Sequence, residues 1–161
     1  MNIRKSSSND LLTLWEYGSY EEASPTAKFF CGNIDSGNAD FWAVYDGDEI
    51  VGELYSFKNM EDKDFADGSN TAYLCAFRIE KEYRGKGHGS SLMNTVLEDR
   101  KVSGFTRATI GVGMDEEDNI NMYRHMGFTT KIKDCFEDPC AMDENMRPRK
   151  DEGFWLLSKK L

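Results

Sequence analysis

The sequence has no long hydrophobic run, no proline-rich tract and no internal repeat, and each absence closes off a class of architecture. Its longest apolar stretches are a few residues, against the roughly 20 that a helix needs to cross a bilayer, so no membrane span is expected. Met1-Asn2-Ile3-Arg4-Lys5 runs into Ser6-Ser7-Ser8 without the apolar core of a secretion signal, and a cytoplasmic protein is the expectation. At 161 residues, with nothing that marks a linker, one domain over 1–161 is expected. Cys31, Cys75, Cys135 and Cys140 lack the paired spacing of a zinc site, and nothing suggests export, so they are expected to be reduced thiols. Positive charge is also in short supply. Against 29 Asp and Glu stand 20 Lys and Arg, and the net charge of −9 disfavours nucleic acid and anionic membranes while suiting a small cationic partner.

What is present is periodicity, in a composition of ordinary globular type, 39% hydrophobic and 30% charged. Met1 to Arg4 predicts a first strand. Ser8 or Asn9 then caps a helix bearing Leu11, Leu12, Leu14 and Trp15, and a second helix spans Ser24 to Cys31 with Pro25 in its first turn. Phe41–Tyr45 and Ile50–Phe57 are rich in aromatic and β-branched residues and flank the turn Asp46-Gly47-Asp48-Glu49, which predicts a hairpin. A polar loop leads to a strand over Thr71 to Ile79. After Gly89 the period changes, with Leu92 and Val96, and Met93 and Leu97, as i,i+4 pairs on one helix face that closes near Gly104. Thr106 to Val112 predicts a strand, Glu117 to Met126 a helix, Phe128 to Phe136 a strand and Phe154 to Leu157 a last one. Residues 134–152 between these two show no period and are read as a long loop that shapes a pocket or forms a homodimer contact. Strands interleaved with helices in this way describe an α/β protein with a mixed sheet.

One segment carries chemistry. Arg84-Gly85-Lys86-Gly87-His88-Gly89-Ser90 joins a strand to a helix, where small residues let backbone N–H groups approach a ligand. The helix start adds unpaired donors and the positive end of its dipole, a match for a pyrophosphate, with Arg84 and Lys86 able to add charge. A nucleotide P-loop needs Gly-x-x-x-x-Gly-Lys-Ser/Thr, but Lys86 is followed by Gly87. The dinucleotide pattern Gly-x-Gly-x-x-Gly fails at Ser90 and at Leu92. Asp115-Glu116-Glu117-Asp118 are acids at a helix start, favoured there by the dipole, without calcium-loop spacing, so no metal is expected.

Arg84, Gly87 and Gly89 instead fit the Arg/Gln-x-x-Gly-x-Gly/Ala signature, and the segment resembles that of the GNAT superfamily of N-acetyltransferases. Met122-Tyr123-Arg124-His125-Met126-Gly127-Phe128 is similar to that family's Leu-Tyr-x-x-x-Gly-Phe element. The resemblance implies the GNAT fold, an α/β mixed central sheet of about six to seven strands flanked by about four helices. It also implies acetyl-CoA as co-substrate, no metal, and direct attack by a primary amine in a ternary complex. It places the pantetheine arm on backbone groups of Phe77 and Ile79, where the strand splays from its neighbour. Asn119, one turn before Tyr123 on the same helix face, is the candidate for a cofactor-amide contact; here the sequence departs from the family, whose frequent Asn falls at Glu116 and whose small residue falls at Asn119. The resemblance makes Tyr123 the proton donor to the leaving thiolate. Relatives often carry a glutamate base on the strand at Thr71–Ile79, which has no carboxylate here. Glu53, acting through a water, is therefore the candidate base, with Tyr73 or a bare water chain as alternatives. The expected acceptor is a small cationic amine; the alternatives are a protein or peptide amine, or a domain that binds acyl-CoA without catalysis.

Overall fold

The computed structural model describes residues 1–161. The chain runs β1 (Asn2–Ser6), α1 (Ser8–Leu14), α2 (Pro25–Asp35), β2 (Ala39–Asp46), β3 (Glu49–Phe57), β4 (Thr71–Ile79), α3 (His88–Val102), β5 (Arg107–Gly113), α4 (Glu117–His125), β6 (Thr130–Met142) and β7 (Pro148–Lys160). A short 3-10 turn, Lys81–Tyr83, links β4 to the glycine-rich segment. The helix starts follow from local chemistry. Ser7 and Asp10 form a reciprocal capping box on α1, and Ser24 caps α2 with Pro25 at its first position. No helix is long and apolar enough to cross a membrane.

The seven strands form one sheet in the order β1-β2-β3-β4-β5-β7-β6, antiparallel except for the β4–β5 pair. Successive residues of a strand point to opposite faces, and helices cover both, so each central strand feeds two cores. Phe41, Tyr55 and Phe57 pack with Leu11 and Phe30 on the face of α1 and α2, while Val44, Leu54 and Leu74 pack with Leu92, Val96 and Phe128 on the face of α3 and α4.

Three boundaries differ from the sequence expectation. The helix begun at Pro25 continues past Cys31 to Asp35, and α3 starts at His88 with Gly87 as its N-cap. Residues 134–152 are no loop: β6 runs on through Phe136 to Met142, and β7 begins at Pro148, well before Phe154. Asp143–Arg147 make the turn between them, its Asp143 carboxylate accepting from the N–H groups of Asn145 and Arg147. Three register shifts along this hairpin break the two-residue alternation by which a strand is read.

The sheet opens in the middle. β4 and β5 pair only from Thr71–Arg107 to Leu74–Ile110, after which Gly111 to Gly113 stay with β7 while β4 stays with β3. Ala76 sits at φ 53 where the β3–β4 register slips, a bulge that bends β4 away from β5.

Candidate active site

At the end of β4 the chain turns through Gly85 (φ 74) and Gly87 (φ 87) before α3 begins. Both lie in the left-handed region, where a side chain costs roughly 1–2 kcal/mol. As a result the backbone N–H groups from Gly85 to Ser90 donate to no acceptor in the chain and gather at the positive end of α3. A Cβ on Gly89 would stand 3.3 Å from the Phe77 ring, so the glycine lets the helix start lie close on the end of β4. Arg84 donates through Nε to the Ile79 carbonyl at 2.8 Å, which fastens the turn to β4. Lys86 lies over the Tyr83 ring at 5.9 Å, and His88 stands beside the same ring. The groove that starts here, about 610 Å3, brings together Phe77, Ile79, Arg84, Gly85, Gly87, Gly89, Ser90, Asn119 and Tyr123 of the residues expected from sequence. This donor set, a row of free N–H groups on a helix dipole, fits a pyrophosphate.

The split between β4 and β5 opens into a second cavity of about 590 Å3. Trp15, Thr26 and Phe30 of the α1–α2 side form one wall, the β6–β7 hairpin another, and Phe77 and Tyr123 stand where cavity and groove meet. The Thr26 hydroxyl accepts from the Met142 N–H at 3.0 Å and so ties the hairpin to α2. Burial, with Glu116 nearby, pushes the Tyr123 phenol up to about 12, so it keeps its proton throughout the neutral range. Five carboxylates line the cavity, those of Asp115, Glu116, Asp138, Asp151 and Glu152, with no Lys, Arg or His.

Two expected residues are otherwise engaged. Glu53 is buried on β3 and its oxygens take two donors each: Trp15 Nε1 at 2.9 Å and the Tyr55 hydroxyl at 3.0 Å on Oε1, Arg78 Nε at 3.0 Å and Nη2 at 2.8 Å on Oε2. Asn119 donates through Nδ2 to Glu116 at 3.0 Å on the groove rim. Sequence reasoning missed the hairpin carboxylates of Asp138, Asp151 and Glu152 and the bulge at Ala76. The one signal for the former was an acidic, unperiodic segment of unusual length.

A family model described as acetyltransferase (GNAT) family matches residues 8–128. The chain belongs to this family. It is 28% identical over 98 residues to N-acetyltransferase 8 of Rattus norvegicus, a match that covers 61% of this chain and 42% of that protein. The chain thus spans less than half the length of that curated relative. Among solved structures, a GNAT family acetyltransferase from Elizabethkingia anophelis with acetyl-CoA bound superposes with a TM-score of 0.64 at 17% identity, covering 99% of this chain and 97% of that one. Ribosomal-protein-alanine N-acetyltransferase from Brucella melitensis gives 0.69 at 13% identity, with both chains covered in full, 100% each. At these identities the superpositions establish the GNAT fold.

Proposed function

We propose that this GNAT domain transfers acetyl from acetyl-CoA to a primary amine of a small cationic acceptor, both partners being bound at once. The observation that carries this is the meeting of groove and cavity at Phe77 and Tyr123. The free N–H groups from Gly85 to Ser90 would hold the pyrophosphate, each anionic group gaining about 0.3–1 kcal/mol from the helix dipole. Backbone groups of Phe77 and Ile79, released from β5 by the splay, line the way from there to the cavity. The bound co-substrate supplies the activated acetyl group. The Phe77 N–H serves the carbonyl oxygen as a donor, the kind of contact whose loss costs roughly 100- to 1000-fold in rate. The Tyr123 hydroxyl gives its proton to the departing sulfur. Glu53 has its lone pairs engaged, so we assign uptake of the amine proton to water in the open cavity and give Glu53 the holding of Trp15, Tyr55 and Arg78 around the bulge. A cavity with five carboxylates and no basic side chain favours a cationic acceptor.

Thiol release from acetyl-CoA, measured with a panel of small amines and short peptides, tests the proposal, and small cationic amines are the expected acceptors. Tyr123→Phe should lower kcat by roughly 100-fold, the usual weight of a positioned proton donor, with coenzyme A affinity unchanged. Full activity in that variant would remove Tyr123 from the mechanism. Acetyl-CoA binding without transfer to any amine would leave a binding domain.

A further inference from the structure

The deep end of the acceptor cavity holds a hydroxyl with nothing to bond. Tyr73 of β4 is 5% exposed and lines the cavity, yet its hydroxyl meets no hydrogen-bond partner in the chain. It faces Gly111 across the split, where a Cβ would lie 3.4 Å from the oxygen and 3.0 Å from the Phe154 ring, so the glycine keeps that end open. The oxygen opens onto the cavity, so a ligand that enters can bond to it without displacing a partner in the chain. Burial, followed by Cys140, Cys75 and Asp138 close by, pushes the phenol well above its ordinary range, so the oxygen remains a neutral hydroxyl and a ready acceptor.

Asp138 of β6 is the charged neighbour. Its Oδ1 accepts from the N–H groups of Cys140 at 2.9 Å and Ala141 at 3.3 Å, which fixes the carboxylate, and its Oδ2 bonds to nothing. No basic side chain lines the cavity to neutralise it. Reaction belongs at the other end, beside Phe77 and Tyr123. From Tyr73 to Phe77 along β4 is roughly 10 Å at about 3.3 Å per residue, the bulge at Ala76 taking up one residue, less the reach of the side chains. The nitrogen that attacks must be neutral and has no use for a fixed carboxylate. A second, protonated nitrogen some distance along the same molecule does.

We propose that the Tyr73 hydroxyl and the free oxygen of Asp138 form a subsite for a second ammonium group, so that the acceptor is an extended aliphatic diamine or polyamine acetylated at the end remote from that group. The subsite rests on the acetyltransferase reading for its purpose and not for its existence. Asp138 supplies charge and Tyr73 direction, and both act on specificity through binding.

Cadaverine and pentylamine differ by the second ammonium alone and make the test. Wild-type protein should acetylate cadaverine with kcat/KM at least about tenfold above pentylamine, the weight of one hydrogen bond to a charged group. In Asp138→Asn that ratio should fall to near one, through KM and not kcat, and Tyr73→Phe should reduce it several-fold. Calorimetric binding of cadaverine to the coenzyme A-loaded protein should weaken in step, while the thermal midpoints of both variants stay at the wild-type value. Equal use of the two amines by the wild type, or a preference that survives Asp138→Asn, overturns the subsite and leaves the acetyltransferase reading intact. Binding of cadaverine that depends on Asp138, with no amine acetylated, upholds the subsite and overturns that reading.

Discussion

Ala76 is a single methyl group on which the opening of the sheet turns. It holds a φ of 53 where one extra residue enters β4, and β-branched side chains have no comfortable rotamer there. Behind the bulge, Glu53 clamps Arg78 on one side and Trp15 and Tyr55 on the other, so the strand cannot relax without loss of that network. Ala76→Val should therefore lower the thermal midpoint and weaken coenzyme A binding, whereas Ala76→Gly should keep both. Calorimetry with coenzyme A on the three proteins decides it, and equal affinities would mean that the bulge does not shape the groove. The bulge is invisible in the sequence because Thr71–Ile79 is apolar almost throughout and reads as a straight strand. The turn from Arg84 to Gly89 is legible for the opposite reason: its form depends on the order of neighbouring residues and on the helix they start, which are both local.

At the scale of elements, α3 does two jobs at its two ends. Its start gathers the free N–H groups of the glycine-rich turn, and its last turn carries Arg100, 1% exposed, into the sheet. The guanidinium donates to the Ser56 hydroxyl at 2.6 Å and the Ser56 carbonyl at 3.0 Å, and pairs with Asp40 at 2.9 Å, joining α3 to β2 and β3. Removing one partner of a buried pair strands the other, at about 3–5 kcal/mol. Arg100→Ala should lose stability of that order in urea denaturation; a loss below about 1 kcal/mol would mean that Lys5, which already reaches Asp40 at 3.6 Å, takes over. The β6–β7 hairpin shows where element-level reading fails. Cys135, Cys140 and Met142 are buried along β6, but the register shifts between them put the inward positions at irregular spacing, and Pro139 and Pro148 read as breakers. Its acids become a cavity wall only once β7 pairs with β5 and Met142 bonds to Thr26, contacts far apart in sequence.

For the molecule as a whole, the thiols and phenols inside the core are weak acids kept neutral. Burial raises the thiols of Cys31, Cys135 and Cys140 and the phenols of Tyr55, Tyr73 and Tyr123 above their ordinary values, Cys135 to about 11 and Tyr123 to about 12. A group whose folded value lies above its unfolded one contributes stability in full below the unfolded value and loses it as pH climbs through the folded one. For Cys135 that window opens near 9.0 and closes near 11, and for Tyr123 it opens near 10.0 and closes near 12. Since the groups are shared between both faces of the sheet, their ionisation draws on both cores together. The thermal midpoint should hold level from neutral pH to about 9 and then fall steeply, with Cys135→Ala falling less between 9 and 11 than the wild type. Differential scanning calorimetry across that range, in constant salt because a net charge of −9 grows more negative at the same time, is the measurement. A midpoint that stays level through pH 11 would mean that water reaches these groups in the folded protein. A fall of equal steepness in wild type and Cys135→Ala would put the loss on the tyrosines and on the mounting negative charge.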